Sequence, residues 1–457
     1  MVELRRYQEE GVAKIQQQMA ANNRRVLYVL PTGGGKTVIF TELTRRTVAA
    51  GGRVLILQHR KRLIRQCKNG IGMEYGVIQA RQPSNRHAPV QIASVNTLSR
   101  RLDQYQPDEF DLLVVDEGHH APAGEWARVL QHFDRSNHLL VTATPCRKDG
   151  RGLRDFADVM VLGPSPNWLT DNGYLARMRV LRRPMTGIDE FKYKGHDFDQ
   201  QQASNVMSDR QIVGNVVDHY LDHVRPSGKL LGFCCSVAHA QIMAAEYNKR
   251  GIPAASIDGA MNDLQQSEIF DRLEHGDLLV LMSCQLVDEG VNVPNLDAIQ
   301  LLAPTHSLRV HLQRVGRGLR TYQGRRKVLL DHVGDCSRHG HYLDDRQWSL
   351  DAPKRKSRGV TGPSVSECIE CYSAIPSGSL VCPYCDAEQP KPKPKDMRIV
   401  DGQLVEWTAE MAAQEAKLKA NREVAMARTL EQLQAIAKER GYQPGWAYHK
   451  YRARHRS

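Results

Sequence analysis

The chain has 457 residues, too many for one ordinary domain and enough for two or three, each with a sizeable core. Its 63 Lys and Arg outnumber 51 Asp and Glu, leaving a formal charge of +12 and a pI near 9.2, which favours polyanionic partners and nucleic acid first. No run approaches the roughly 18 apolar residues needed to span a bilayer, the start MVELRRYQEE has no apolar signal segment, and most of the 10 Cys are scattered. A soluble protein in the cytoplasm is expected, and the cysteine distribution fits a reduced compartment better than a disulfide framework.

In chain order, short apolar runs alternate with amphipathic segments: VLYVL at 26–30, VLILQ at 54–58, VQIAS at 90–94, LLVVD at 112–116 and HLLVTAT at 138–144. Strands separated by helical stretches predict a parallel sheet flanked by helices over 1–163. The rhythm breaks over 164–208, read as a connecting segment. It restarts with KLLGFCC at 229–235, IPAASID at 252–258, LLVLMS at 278–283, AIQLLA at 298–303 and KVLLDHV at 327–333, a second α/β domain over 209–345. Region 346–390 is polar and contains four clustered Cys. Over 391–457 come the extended, self-repelling QPKPKPK spacer, an Ala, Glu, Gln, Lys and Met-rich helix from about 407 to 440, and a basic, aromatic end.

VLPTGGGKT at 29–37 follows a predicted strand and precedes a predicted helix, so the N–H groups of Thr32, Gly33, Gly34 and Gly35 can surround phosphates at a helix N-terminus. Lys36 would reach the β and γ phosphates, and Thr37 would hold Mg²⁺. The general loop pattern has Gly where this chain has Leu30. At the end of LLVVD, Asp116 would complete the Mg²⁺ shell while Glu117 orients or deprotonates the attacking water. Taken alone, that acidic pair also fits a helix start.

Leu30 to Thr37, Asp116-Glu117-Gly118-His119 and Thr142-Ala143-Thr144-Pro145 together resemble motifs I, II and III of superfamily 2 helicases, whose loop is commonly PTGxGKT without the first glycine. CQLVDEGVNVP at 284–294 looks like motif V, and QRVGRGLR at 313–320 matches motif VI. The resemblance covers about residues 1–345. LRRYQ, DNGYL at 171–175 and DDRQWSL at 344–350 look similar to RadD-like and phage-encoded DEAD/DEAH-type helicases. Gly118 replaces the usual Ala or Cys of motif II and leaves both acids in place.

That resemblance implies two tandem RecA-like P-loop domains with ATP in the cleft between them. Lys36, Thr37, Asp116 and Glu117 would stand on one wall, and Arg317 and Arg320 on the other. If HLQRVGRGLR is helical, the spacing of three turns both arginines to one face. Gln8 resembles the adenine-reading Gln, with Arg5 stacking on the base, and Gln313 and Gly290 join the nucleotide contacts. Asp288, Glu289 and Gly290 would link nucleotide to strand, and Thr142 and Thr144 would couple the domains. Strand contacts are implied for His59, Arg60, Ser94, Asn96, Thr97 and Ser236, although these residues also fit helix caps.

Cys368-x2-Cys371 and Cys382-x2-Cys385 offer four thiolates in two knuckles, a closed structural Zn²⁺ site in a zinc ribbon. Residues 391–457 carry 14 Lys and Arg against 8 Asp and Glu. There Trp446, Tyr448 and Tyr451 alternate with basic residues, a pattern suited either to stacking on bases or to docking by the aromatics. The expected function is an ATP-dependent DNA helicase or translocase of recombination, repair or phage DNA metabolism. Its partners would be single-stranded or forked DNA, with recombination or single-strand-binding proteins. An RNA helicase, a restriction-type motor subunit and a DNA-binding recruitment protein with an ATPase switch are the alternatives.

Overall fold

A computed structural model describes residues 3–58, 72–80, 85–146, 152–182, 193–194, 197–207, 210–284, 295–321, 324–351, 365–367, 374–376, 405–413, 429–443 and 445–454, with single residues at 381, 388, 417, 424 and 427. His59, Arg60, Asp288, Glu289, Gly290 and the four cysteines of the proposed Zn²⁺ site lie outside the described residues.

The first α/β domain is a sheet of seven strands: β1 Arg25–Val29, β2 Val54–Gln58, β3 Tyr75–Ile78, β4 Val90–Ser94, β5 Leu112–Asp116, β6 Asn137–Thr142 and β7 Val159–Leu162. Their order is β3-β4-β2-β5-β6-β1-β7, and every pairing is parallel. Central strands read as unbroken apolar runs because helices cover both faces; all of β2 is buried. A parallel arrangement puts the C-terminal ends of β1, β2, β4, β5 and β6 along one edge, where the loops that carry chemistry gather.

The second α/β domain repeats the design with β8 Met178–Arg182, β9 Leu230–Phe233, β10 Ala254–Ile257, β11 Val280–Ser283, β12 Ala298–Leu301 and β13 Lys327–Asp331. These lie in the order β10-β11-β9-β12-β13-β8, again parallel. Segment 164–208 is therefore more than a connection, since β8 pairs with β13 from Met178↔Lys327 to Arg182↔Asp331. Helix Leu308–Gly316 follows β12, capped by the Ser307 hydroxyl, which accepts from the Val310 N–H.

After β13 and the short helix Asp335–His339 the chain returns to the first domain. Leu350 O accepts the N–H groups of Leu153 and Arg154 at 2.7 and 3.1 Å, while the Leu350 side chain and Trp348 join the core of that domain. DDRQWSL thus ties the first domain to the chain leaving the second.

Residues Glu406–Ser457 form a compact unit of their own. The expected helix over 407–440 is interrupted: Thr429 is extended and starts Leu430–Glu439 with a capping box, Thr429 and Gln432 exchanging backbone-to-side-chain bonds at 3.2 Å. Helix Trp446–Arg454 packs on it through Ala447, Trp446 and Tyr451 around buried Leu433, whereas Tyr448, His449, Lys450 and Arg452 are exposed. Docking and exposure are divided among the aromatics, with two packed and one presented to solvent.

Candidate nucleotide site and domain contacts

The phosphate loop joins β1 to helix Lys36–Ala49. Gly33 and Gly35 have φ of +86° and +90°, a region that L side chains avoid. A Cβ on Gly35 would also lie 2.4 Å from Gln8 Nε2, and one on Gly34 2.9 Å from the Leu30 side chain. The glycines therefore keep the backbone bare at the helix N-terminus, where N–H groups and the helix dipole favour an anion. Gly35→Ala is expected to lower stability by about 1–3 kcal/mol through the positive φ and to raise KM for ATP. Thermal unfolding and steady-state kinetics check both effects.

Lys36 is the first residue of that helix, and its charge acts on Asp116 at the end of β5. Burial pushes the Asp116 carboxyl up, opposed by the Lys36 charge, by the Glu117 N–H donating at 3.0 Å, and by the Gln58 side chain at the end of β2. Gln58 is 2% exposed and did not stand out in the sequence, because it sits at the end of an apolar run in a different strand. Thr37, in the first helical turn, and Asp116 are the oxygen donors that would hold Mg²⁺, and oxygen donors beside a phosphate-binding loop suit that ion.

Glu117 adopts a left-handed backbone, φ +54°, unusual for a residue with a side chain. His119 Nδ1 lies 3.4 Å from Glu117 Oε2 and 3.1 Å from Thr142 Oγ1. Thr142 in turn donates to Thr144 O at 3.1 Å and accepts from Thr144 N at 3.2 Å. Motifs II and III are thus a single hydrogen-bonded set. From the second domain, Arg309 Nη1 reaches His119 Nε2 at 2.8 Å.

Around the base-reading positions, Gln8 Oε1 accepts the Arg5 N–H at 3.0 Å and Tyr7 OH donates to Gly34 O at 2.8 Å. The Arg5 guanidinium lies 5.0 Å over the Tyr174 ring, and Tyr7, Trp168 and Tyr174 pack at centroid distances of 4.8 to 6.0 Å. Tyr174 came with the quoted DNGYL turn; Trp168 was not singled out, since nothing local marks it. A lone aromatic 160 residues from Gln8 gains meaning only when the folded chain brings it beside Tyr7.

Motif VI is not one helix face. Helix Leu308–Gly316 ends before either arginine; Arg317 is its C-cap, and Arg320 is in an isolated bridge with Leu175. The three-residue helical spacing expected for Arg317 and Arg320 is corrected by this ending, because Gly316 and Gly318 break the helix. Arg320 nevertheless reaches the loop by another route: a Cβ on Gly33 would lie 3.9 Å from Arg320 Cγ and 2.9 Å from Leu175 Cδ2. A Cβ on Gly316 would fall 2.5 Å from Thr32 Cβ, so the end of that helix rests on the phosphate loop. Burial holds the Arg320 guanidinium below its usual range.

Gln313 is 3% exposed, and neither amide atom meets a hydrogen-bond partner among the described residues; Thr144 Oγ1 is in the same state. Buried polar atoms of this kind suit a polar ligand. A cavity of about 130 Å³ adjoins Pro31 and Thr32, but Val29, Leu312, Val315, Leu319 and Trp348 give it an apolar wall unsuited to phosphates.

The remaining expected strand contacts divide. Ser236 caps helix Val237–Lys249, accepting from His239 N at 3.0 Å and sharing a 2.6 Å bond with Ser204. Ser94 ends β4 and precedes the helical turn Val95–Leu98 without a side-chain cap bond; Asn96 is exposed and Thr97 half-buried. No helix among the described residues is long and apolar enough to cross a membrane, and these residues contain no cluster of three or more His, Cys, Asp or Glu suited to a metal.

Residues 1–147 match the family described as type III restriction enzyme, res subunit, and residues 212–322 match the helicase conserved C-terminal domain. Among curated proteins, a 51.5 kDa protein of Lactococcus phage (isolate 7-9) is 28% identical over 78% of this chain and 76% of its own length. A putative mitochondrial ATP-dependent helicase, irc3, of Schizosaccharomyces pombe is 27% identical over 75% of this chain but only 59% of its own length. Among solved structures, the fragment of a putative HsdR subunit of a type I restriction enzyme from Vibrio vulnificus superposes with a TM-score of 0.60 at 19% identity, covering 73% of this chain and 65% of that fragment. That likeness concerns the fold.

Proposed function

We propose that this chain, which belongs to the superfamily 2 DEAD/DEAH-type helicases and is an ATP-hydrolysing enzyme of that family, is a DNA-stimulated motor that moves along a strand by opening and closing its interdomain cleft. The observation that carries this reading is the meeting of both domains at the phosphate loop, with the Gly316 end of one helix against Thr32 and Arg320 beside Gly33.

In this reading the loop backbone and Lys36 bind the phosphates, and Thr37 and Asp116 hold Mg²⁺, which when bound neutralises phosphate charge. Gln8 Nε2 faces the base and the rings at Tyr7, Trp168 and Tyr174 shape its surroundings. Glu117 orients the attacking water and takes its proton. Arg320 and Arg317 stabilise the charge that develops on the transferred group. Gln313 and Gly290 join the nucleotide contacts, Thr142 and Thr144, together with Asp288, Glu289 and Gly290, pass the state of the site to the strand, and His59, Arg60, Ser94, Asn96, Thr97 and Ser236 grip its backbone. Because closure depends on the γ phosphate, each turnover resets the cleft.

DNA is the preferred track on three grounds: the +12 charge, the match of residues 1–147 to the family described as type III restriction enzyme, res subunit, and the exposed Tyr448, Lys450 and Arg452 of the C-terminal unit. Recombination, repair or phage DNA metabolism in the cytoplasm is the setting, with single-strand-binding or recombination proteins as partners. Cys368, Cys371, Cys382 and Cys385 hold a structural Zn²⁺; native mass spectrometry is expected to find one zinc per chain, lost in Cys382→Ser.

The deciding experiment is steady-state ATP hydrolysis with no nucleic acid, single-stranded DNA, duplex DNA, forked DNA and RNA, with Glu117→Gln as the inactive control. Strong stimulation by DNA alone is expected. Equal stimulation by RNA would overturn the DNA assignment, and hydrolysis indifferent to nucleic acid would overturn the motor.

A further inference from the structure

We infer that Arg309, a residue outside the eight-residue motif that ends its helix, positions Glu117 by fixing the tautomer of His119. The inference rests on the reading of Glu117 as the group that orients water. A guanidinium has only donors, so the 2.8 Å contact from Arg309 Nη1 makes His119 Nε2 an acceptor. In the neutral ring the single proton then sits on Nδ1, which donates to Thr142 Oγ1 at 3.1 Å and lies 3.4 Å from Glu117 Oε2, so that its N–H dipole acts on the carboxylate at short range without a hydrogen bond to it.

Thr142 is consistent with this direction. Its own hydroxyl proton goes to Thr144 O, leaving the oxygen to accept from Thr144 N and from His119 Nδ1–H. The ring is 3% exposed and Arg309 8%, so water competes little for either end of the contact. With the opposite tautomer, Nε2–H would oppose the Arg309 N–H, and Nδ1 would present a lone pair to the Glu117 carboxylate. The ring's hydrogen bonds to Arg309 and from Nδ1–H to Thr142 would be lost together, and the Glu117 carboxylate would face a lone pair in place of an N–H dipole.

Arg309 belongs to the second domain and His119 to the first, so correct alignment of Glu117 depends on the two being docked. Hydrolysis thereby becomes conditional on closure through a side chain that acts on Glu117 by way of His119. Arg309 is a positioning residue in this scheme.

The tautomer is read directly from the ¹⁵N shifts of His119 in the full chain without nucleotide, assigned by their loss in His119→Gln. The expected result is Nδ1–H in the wild type and a mixture in Arg309→Met. An Nε2–H ring in the wild type, or no change in Arg309→Met, overturns the inference. In kinetics, Arg309→Met is expected to lower kcat by about ten- to a hundredfold with little change in KM for ATP. Arg309→Lys, which keeps a donor, recovers part of it. His119→Ala with Arg309→Met should be no slower than His119→Ala alone, and multiplied single effects would show an unrelated structural role. If the Nδ1–H tautomer is present but no nucleic acid stimulates hydrolysis, the proposed motor fails while the tautomer assignment survives.

Discussion

Lys36→Ala is expected to leave about a thousandth or less of ATP turnover, with the melting temperature little changed. The variant removes the one side chain of the loop that can place a positive charge on the β and γ phosphates, and it does so at the first residue of a helix whose backbone stays intact. It also removes the charge that opposes burial of Asp116. The Asp116 carboxyl is already raised by desolvation, and without Lys36 the largest interaction opposing that rise is gone. Two losses therefore combine in one substitution. Single-turnover hydrolysis with a range of Mg²⁺ concentrations checks this, and near-normal turnover would remove Lys36 from the site.

Arg320→Ala is expected to reduce kcat by about 10³-fold or more, the range for losing an arginine finger, while ATP still binds. Its backbone bridge to Leu175 does not depend on the side chain, so the variant should fold. Arg320→Lys should restore little, because a point charge on a flexible stem does not reproduce the planar, delocalised guanidinium. Arg317→Ala offers the comparison: Arg317 caps a helix, and its replacement is expected to cost less. Equal and mild effects from both would place the charge-stabilising group elsewhere. Nucleotide binding measured by equilibrium dialysis separates lost affinity from lost chemistry.

Local continuity explains which features were legible. The loop 29–37, the acids at 116–117 and the threonines at 142–144 each span a few residues at the end of an apolar strand, so their order along the chain already implied one sheet edge. Strands β3, β7 and β8 were harder. YGVI is four residues long, β7 is only partly buried, and MRVLR carries arginines that break the apolar run. Their strand character comes from neighbours, as β8 shows by pairing with β13. Only the helical reading of motif VI is corrected: the spacing of Arg317 and Arg320 suits a helix, but the helix ends at Gly316 with Arg317 as its C-cap.

Sequence alone determined the family resemblance, two α/β domains, the nucleotide-binding loop and its acids, because each of these depends on residues adjacent in the chain or on strand-length apolar patterning. Tertiary structure decided what depends on contacts between residues far apart in the chain. It brought Gln58 to Asp116, Trp168 to Tyr7, Arg320 to Gly33 by way of a bridge rather than a helix face, and Arg309 to His119, 190 residues away. No local propensity encodes such pairs; Gln58 and Asp116 meet because β2 and β5 lie side by side in one sheet, and Arg309 and Arg320 arrive because the helix after β12 and the segment that follows it pack on the first domain.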